Sequence, residues 1–464
     1  MALAQPGLAP VEIVRSGLCI GCGACAALAP ERRMDWDLDG FLKPAGRSGW
    51  QHRPNADFTR ICPFSPAAAD EDAIAGRLFP QAAADPLIGR HVANYVGHVA
   101  QDGFRARGSS GGLVSWIAAE LLRRGLVDGV AHVVPRAPDE GDGRLFAYRI
   151  SRDAAGLNEG AKSRYHPVEL SAVLREIEAV PGRYAVVGIP CFIKAVNLAR
   201  GERPVLAERI THTIGLFCGH MKSRHMVSSF ARQMDAVPGA VTAVDYRLKN
   251  PDRPANWYTA HLSLGDGSSR QRDWWHLVEG DWGAGFFMNS ACNFCDDVTA
   301  ETADIALGDA WLEPWSSDGR GTNVVVVRSS QMADLVREGI AVGTLALDPV
   351  DADFVRRTQA AGLRQRREGL AWRLATTRLP VPPRKRVAPS RDMPARRKLI
   401  YAMRRAISRW SLRVYRLAQW LGTPVLYRLW GRAALATYHG LAYSRGPLGR
   451  MVDRLLDPKG TGRD

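Results

Sequence analysis

The stretch "ACNFCDD" at residues 291–297 decides how this chain is read. Cys292 and Cys295 form a C-x-x-C pair in a chain with only eight cysteines. Two thiolates do not complete a four-ligand metal site, so two partners must come from elsewhere. Cys191 follows the apolar run "AVVGIP", and Cys218 follows "IGLF". Each run reads as a buried strand that ends in a Pro- or Gly-flanked turn. Sites in open α/β sheets form at the carboxyl ends of the strands. That puts Cys191 and Cys218 at such an edge, where Cys292 and Cys295 reach them from a loop. The four then hold a 4Fe-4S cluster or a zinc ion. The plainer alternative makes Cys191 and Cys218 buried core thiols, which is common for free cysteine.

The other four cysteines lie near the N-terminus. Cys19, Cys22 and Cys25 read "CIGCGAC", and Cys62 sits in "ICPFSP". The small residues let backbone amides approach the sulfurs. The run resembles a ferredoxin loop, in which a cysteine followed by proline is the usual closing ligand. Cys19, Cys22, Cys25 and Cys62 are therefore expected to hold a first 4Fe-4S cluster. Zinc is the alternative, although zinc knuckles seldom use this spacing.

Around these motifs the composition is that of a globular protein, 46% hydrophobic and 23% charged over 464 residues. That length predicts two or three modules. No apolar run of ~18 residues occurs, so no spanning helix is expected. The first residues lack a basic start before an apolar run, so a leader is not expected and a cytoplasmic chain is. The net charge of +15 is uneven. From Ala371 onward there are 21 Arg and Lys against four acids, which leaves the rest of the chain slightly acidic. The basic charge is remote from the cysteines, which argues against a nucleic-acid partner.

The predicted fold class is α/β (α+β). It has a ferredoxin-like module over residues 1–75 and an Ala-rich joining helix over 71–90. "HVANYVGHVA", "LVDGVAHVV", "RYAVVGIPC", "RITHTIGLFC", "TADIALGDAW" and "TNVVVVRS" read as strands, with "GGLVSWIAAELLRRG" as an amphipathic helix. The alternation predicts a mixed or largely parallel sheet, in segments 90–170 and 171–350. Residues 378–395 form a Pro- and Arg-rich linker, read as extended. Residues 396–464 form a basic helical tail. There Leu399, Met403, Ile407, Trp410, Val414, Leu417 and Leu421 fall at steps of three and four, on one helical face.

"GSSGG", residues 108–112, precedes the helix that starts near Leu113. Ser109, Ser110, Gly111 and Gly112 are either a phosphate contact at a helix N-terminus or a plain helix cap. The Rossmann G-x-G-x-x-G is absent, so NAD is not supported.

"GIPC", "GLFC", "CNFCDDVTAETADIALGD", "SSGGLVSWIAAELLRRGLVDGV" and "KSRYHPVELSAVLREI" resemble the coenzyme F-420 hydrogenase/dehydrogenase beta-subunit family over about residues 90–345. With the N-terminal module, the chain looks like the two-cluster members, among them 7-hydroxymethyl chlorophyll a reductase. The resemblance implies FAD beside a 4Fe-4S cluster held by Cys191, Cys218, Cys292 and Cys295. It also implies a flavin-adjacent stretch at Ser163, Arg164 and Tyr165. Lys194 is expected to place positive charge near a cluster or the flavin, or else to be solvated. Asp309, at a strand end, is a candidate for cofactor or substrate contact. The plainer alternative for Ser163, Arg164 and Tyr165 is a loop before a helix, with His166 at the surface. Asp296 and Asp297 are expected to be solvated or capping, and His220 is a proton-donor candidate.

The implied mechanism runs from a ferredoxin-like one-electron donor through the clusters to FAD. Hydride exchange then follows with a small-molecule or lipid-linked acceptor, coenzyme F-420 being one candidate. A relay subunit of a larger redox assembly and an oligomer are compatible with this. The rival class is a zinc-stabilised binding protein. The tail is read either as lying on an anionic membrane surface or as docking on the body.

Overall fold

The computed structural model describes residues 7–136 and 142–456. Short strands β1 (Arg33–Trp36) and β2 (Leu42–Ala45) pair antiparallel in the N-terminal module. The main sheet takes β3 (Ala93–Val99), β4 (Gly129–Pro135), β5 (Phe146–Ser151), β6 (Tyr184–Gly188) and β7 (Ile210–Leu216). A second antiparallel sheet is made of β8 (Val241–Asp245), β9 (Thr259–Leu264) and β10 (Ser269–Asp273). The chain then returns to the main sheet with β11 (Ile305–Asp309), β12 (Asn323–Val327) and β13 (Leu345–Pro349).

The main sheet has eight strands in the order β13-β3-β12-β11-β7-β6-β4-β5. Only its centre, β11-β7-β6-β4, is parallel. β5 at one side, and β12, β3 and β13 at the other, run antiparallel to their neighbours. The sheet is thus mixed. The parallel centre is where crossover helices such as Leu113–Arg123 and Pro190–Glu202 cover the faces. Helix Leu113–Arg123 buries Leu113, Trp116, Ile117 and Leu121 at spacings of three and four, as an amphipathic helix on a sheet should. The joining helix is shorter than expected, Glu71–Leu78, and irregular chain follows it.

The N-terminal module is not a separate lobe. Ile20, Phe58, Ile61 and Phe64 share one hydrophobic core with Tyr184, Val186, Phe192 and Cys292. The Leu170 N–H donates to the Cys22 carbonyl at 2.8 Å, and Ser290 Oγ donates to the Gly17 carbonyl at 2.6 Å.

The basic region folds into helices Ala395–Trp420, Pro424–Tyr443 and Gly446–Leu456 packed on the second sheet. The buried face of the first of these carries Ile400, Tyr401, Ile407, Ser408, Ser411, Leu412, Tyr415 and Ala418. Of the stripe read from the sequence, Ile407 is buried, while Leu399, Trp410, Leu417 and Leu421 are exposed. The segment before the helices is pinned rather than free. Lys385 Nζ reaches Asp296 at 2.8 Å, and Arg386 grips the Glu301 carboxylate at 2.6 and 2.9 Å.

Candidate redox centre

A cleft enclosing about 1550 Å³, mouth included, opens at the carboxyl edge of the parallel strands. It is lined from β4 by His132, from β6 by Val187 and Gly188, from β7 by Leu216, and from β11 by Leu307, Gly308 and Asp309. This is the edge where α/β folds place their ligands.

The Gly- and Ser-rich loop before helix Leu113–Arg123 lies in its wall. Ser109, Ser110, Gly112, Ser163, Arg164 and Tyr165 all line the cleft. Ser109 Oγ accepts the Ser163 N–H at 2.9 Å, and Ser110 Oγ donates to the Thr322 carbonyl at 3.0 Å. Lys249 Nζ donates to the carbonyls of Arg105, Ser110 and Arg320 at 2.5, 2.9 and 2.6 Å, and so clamps the loop. Gly112 has φ +88°, and a Cβ there would come within 2.7 Å of the Phe104 carbonyl oxygen, so the turn demands glycine. Val114 and Ser115, in the first helical turn, face the cleft where the N-terminal amides have no partner within the helix.

Two candidates sit elsewhere. Gly111 is not in the cleft wall; it packs against Asn323, to which a Cβ would approach within 2.7 Å. Lys194 is buried, neither solvated nor in the cleft, and pairs with buried Glu71 at 3.1 Å.

The far wall of the cleft is aromatic and cationic. His220 stacks on Trp282 with centroids 4.3 Å apart, and Tyr165 meets the same indole at 4.8 Å. Lys222 is fully buried in this wall, its Nζ 4.6 Å above the Trp282 ring and donating to the Phe286 carbonyl at 2.6 Å. Burial lowers its pKa to about 7, against the pull of Glu279 and Asp281. Burial, helped by Lys222 and by Arg404 and Arg366, holds His220 neutral far below its ordinary range. Asp309 is held by Arg247 through paired bonds of 3.0 and 3.2 Å. His166 is buried rather than at the surface; it lies 3.3 Å from the Tyr246 hydroxyl, and burial lowers its pKa to about 3.

The cysteines gather as two quartets. Cys19, Cys22, Cys25 and Cys62 line one cavity; Cys191, Cys218, Cys292 and Cys295 line another. Cys191 is the second residue of helix Pro190–Glu202 after β6, and Cys218 follows the adjacent β7. Gly21 has φ +80°, and a Cβ there would meet the Leu42 carbonyl at 2.5 Å, so the first loop is built for close backbone approach. The Met221 N–H points at Cys292 Sγ at 3.3 Å. Burial raises the thiol pKa of Cys22 to about 12 and of Cys292 to about 11. Such thiols carry charge only beside a strong cation. Among the described residues, no set of three or more His, Cys, Asp or Glu is arranged to hold a metal ion.

Arg366 is buried in the wall of the second quartet and donates to the carbonyls of Cys292 and Gly219. Asp296 and Asp297, expected in solvent, are both buried. Burial works against ionisation of Asp296, but Lys385 and Arg386 outweigh it and keep the carboxyl well below the usual range. Asp297 lines the second quartet's cavity, and burial beside Glu301 and Glu71 raises its pKa to about 7.

The three spaces touch. Ile20 and Phe64 line both quartet cavities. Ile189, Cys218 and Met221 line both the second quartet and the cleft.

Lys222, Trp282, Arg247 and Arg366 were not foreseen from the sequence. Lys222, four residues after Cys218, was within reach of the motif. The other three come from segments with no local pattern.

The cleft thus lies at the strand-end edge of an α/β sheet, next to two groups of four cysteines. The beta-subunit N-terminal model of coenzyme F420 hydrogenase/dehydrogenase matches residues 94–175, and its C-terminal model matches residues 182–353. The chain belongs to this family of oxidoreductase subunits. It is 26% identical over 350 residues to one of the subunits of the F(420)H(2) dehydrogenase of Methanosarcina mazei, covering 71% of this chain and 86% of that one. It is 23% identical over 349 residues to the coenzyme F420-dependent sulfite reductase of Methanocaldococcus jannaschii, covering 71% of this chain. The match spans 48% of the reductase, about half its length. A chain of the F420-reducing [NiFe] hydrogenase complex from Methanosarcina barkeri superposes with TM-score 0.49 at 17% identity, covering 66% of this chain and 99% of that chain.

Proposed function

We propose that this chain is an iron–sulfur flavoprotein that links a one-electron donor of the ferredoxin type to a two-electron organic acceptor. The carrying observation is the row of three spaces with shared walls: quartet, quartet, cleft. Each quartet supplies the four thiolates a 4Fe-4S cluster needs, around a cavity rather than a point. When bound, the clusters supply one-electron transfer, and FAD in the cleft supplies the exchange between single electrons and a hydride.

The protein's own groups fit these occupants. The amides of the first turn from Leu113, with Ser109 and Ser110, suit a pyrophosphate. Trp282, Tyr165 and His220 give the cleft an aromatic side suited to packing against an isoalloxazine-sized ring. Lys222, with its pKa lowered to about 7, holds or yields a proton at Nζ near neutrality, where charge on a bound ring changes. Arg247 fixes Asp309 toward the cleft as an acceptor for substrate or ring donors. The names of the relatives make coenzyme F-420 the first acceptor to try, and a larger redox assembly the natural setting.

The test is iron, sulfide and flavin analysis of anaerobically purified chain. The expected result is about eight irons and one FAD per chain. Cys292→Ser and Cys25→Ser should each leave about four irons, with the visible spectrum of the other cluster intact. Zinc without flavin overturns the reading.

A further inference from the structure

We propose that the outer face of the C-terminal helices lies on an anionic phospholipid surface. The observation is a helix with two apolar sides: Ile400, Ile407, Leu412 and Tyr415 face the body, and a second stripe faces away from it. On Ala395–Trp420, Leu399, Trp410, Leu417 and Trp420 are exposed, as is Leu421 just beyond, while Ser408 and Ser411 are buried against the body. At about 100° per residue the five exposed apolar side chains fall within roughly 100° of arc, so they form one continuous stripe. A helix that only covered a core would turn this stripe inward.

The next two helices also expose large apolar side chains, among them Val425, Leu429, Met451 and Leu455. Eleven of the twenty exposed large hydrophobic residues among the described ones lie between residues 399 and 456. That concentration marks an interaction face rather than scattered surface residues.

Charge selects the occupant. Between residues 395 and 456 there are thirteen Arg and Lys and a single acid, Asp453. Asp453 is turned toward Arg396 at 2.6 Å. Arg409, Arg413 and Arg432 are exposed beside the stripe, and the Arg413 guanidinium lies 5.2 Å from the centre of the Trp410 ring. Leu, Trp and Arg so interleaved match the acyl, interfacial and phosphate levels of a bilayer surface. No helix among the described residues is long and apolar enough to cross a membrane, so the face lies on the surface. This inference stands on the tail alone and does not depend on the redox reading.

The experiment is co-sedimentation of the full chain, as anaerobically purified, with vesicles. One set is phosphatidylcholine alone; the other carries about 30% phosphatidylserine. The expected result is at least about tenfold stronger binding to the anionic vesicles, weakened by salt. Leu417→Glu with Trp420→Glu should remove binding at least about tenfold, since both side chains sit outside the core. Arg409→Gln with Arg413→Gln should erase the preference for anionic vesicles. Unchanged near-UV circular dichroism confirms that both variants fold. Failure of the parent to bind either vesicle overturns the proposal, as does undiminished binding by the Glu variant. A dimer of the parent in light scattering that the Glu variant dissolves would assign the face to a second copy of the chain, and also overturns it.

Discussion

Arg386→Met removes the cation that closes the basic strap over the second quartet. The guanidinium makes bonds of 2.6 and 2.9 Å to Glu301, 3.4 Å to Asp296 and 2.8 Å to Asp72. Glu301 and Asp296 are each 1% exposed. Without Arg386, Asp296 still has Lys385 at 2.8 Å, but Glu301 is left with the longer pair to Arg367 at 3.5 Å. A buried carboxylate that loses its partner costs about 3–5 kcal/mol. With a urea dependence of about 3 kcal/mol per molar, the unfolding midpoint should fall by about 1–1.7 M. Urea titration followed by circular dichroism and by tryptophan fluorescence measures it. Arg386→Met with Glu301→Gln should recover at least half the loss, because the stranded charge goes with its partner. A shift under about 0.3 M, or no recovery in the double variant, would refute the argument and return the segment to the status of a loose spacer.

Burial lowers the His132 pKa to about 4, so the unfolded chain takes up this proton first as pH falls. Stability tied to His132 is complete above about pH 6.5 and is lost as pH falls toward 4, by about 3 kcal/mol at most; His132→Gln should flatten melting temperature against pH over that range. Lys222 is also depressed, to about 7, so the unfolded chain binds more protons between pH 7 and about 10.4 and stability rises with pH there. Lys222→Met should abolish that rise and remove an inflection near pH 7 from the rate of flavin reduction. Trp282→Ala, which strips the indole from between His220 and Tyr165, should weaken retained flavin by about tenfold or more in equilibrium dialysis.

The grouping of the cysteines was legible because Cys19, Cys22 and Cys25, and Cys292 and Cys295, are spaced closely, and Cys191 and Cys218 each follow an apolar strand run. The central strands were legible for a similar reason: "AVVGIP" and "TNVVVVRS" are uninterrupted apolar runs of doubly covered strands. The antiparallel edges were not. β13 is largely exposed and β5 carries an exposed Arg149 amid buried residues, and the direction of each is set by pairing with β3 and β4 rather than by composition. Asp296 was misplaced, and the burial of Lys194 and His166 was not legible, because their environments come from Lys385, Glu71 and Tyr246, distant in sequence. On the helix Ala395–Trp420 the periodicity was legible, while the facing stayed open between the body and a membrane surface. Periodicity identifies a stripe; only the contacts made by Ser408 and Ser411 with the backbone of residues 287 and 288 show which side touches protein.

Ile20 and Phe64, the partition between the two quartets, have a consequence for ancestry. A ferredoxin-type module is commonly pictured as a detachable cartridge, yet here its inner surface is also part of its neighbour's container. Substitutions at a common wall do not add, because each alters the surroundings of both sides. The two halves must therefore drift together. Exchanging the first 75 residues for those of a foreign ferredoxin would fail at this partition, however well the imported loop bound its own iron, unless the residues standing for Ile20 and Phe64 travelled with the host.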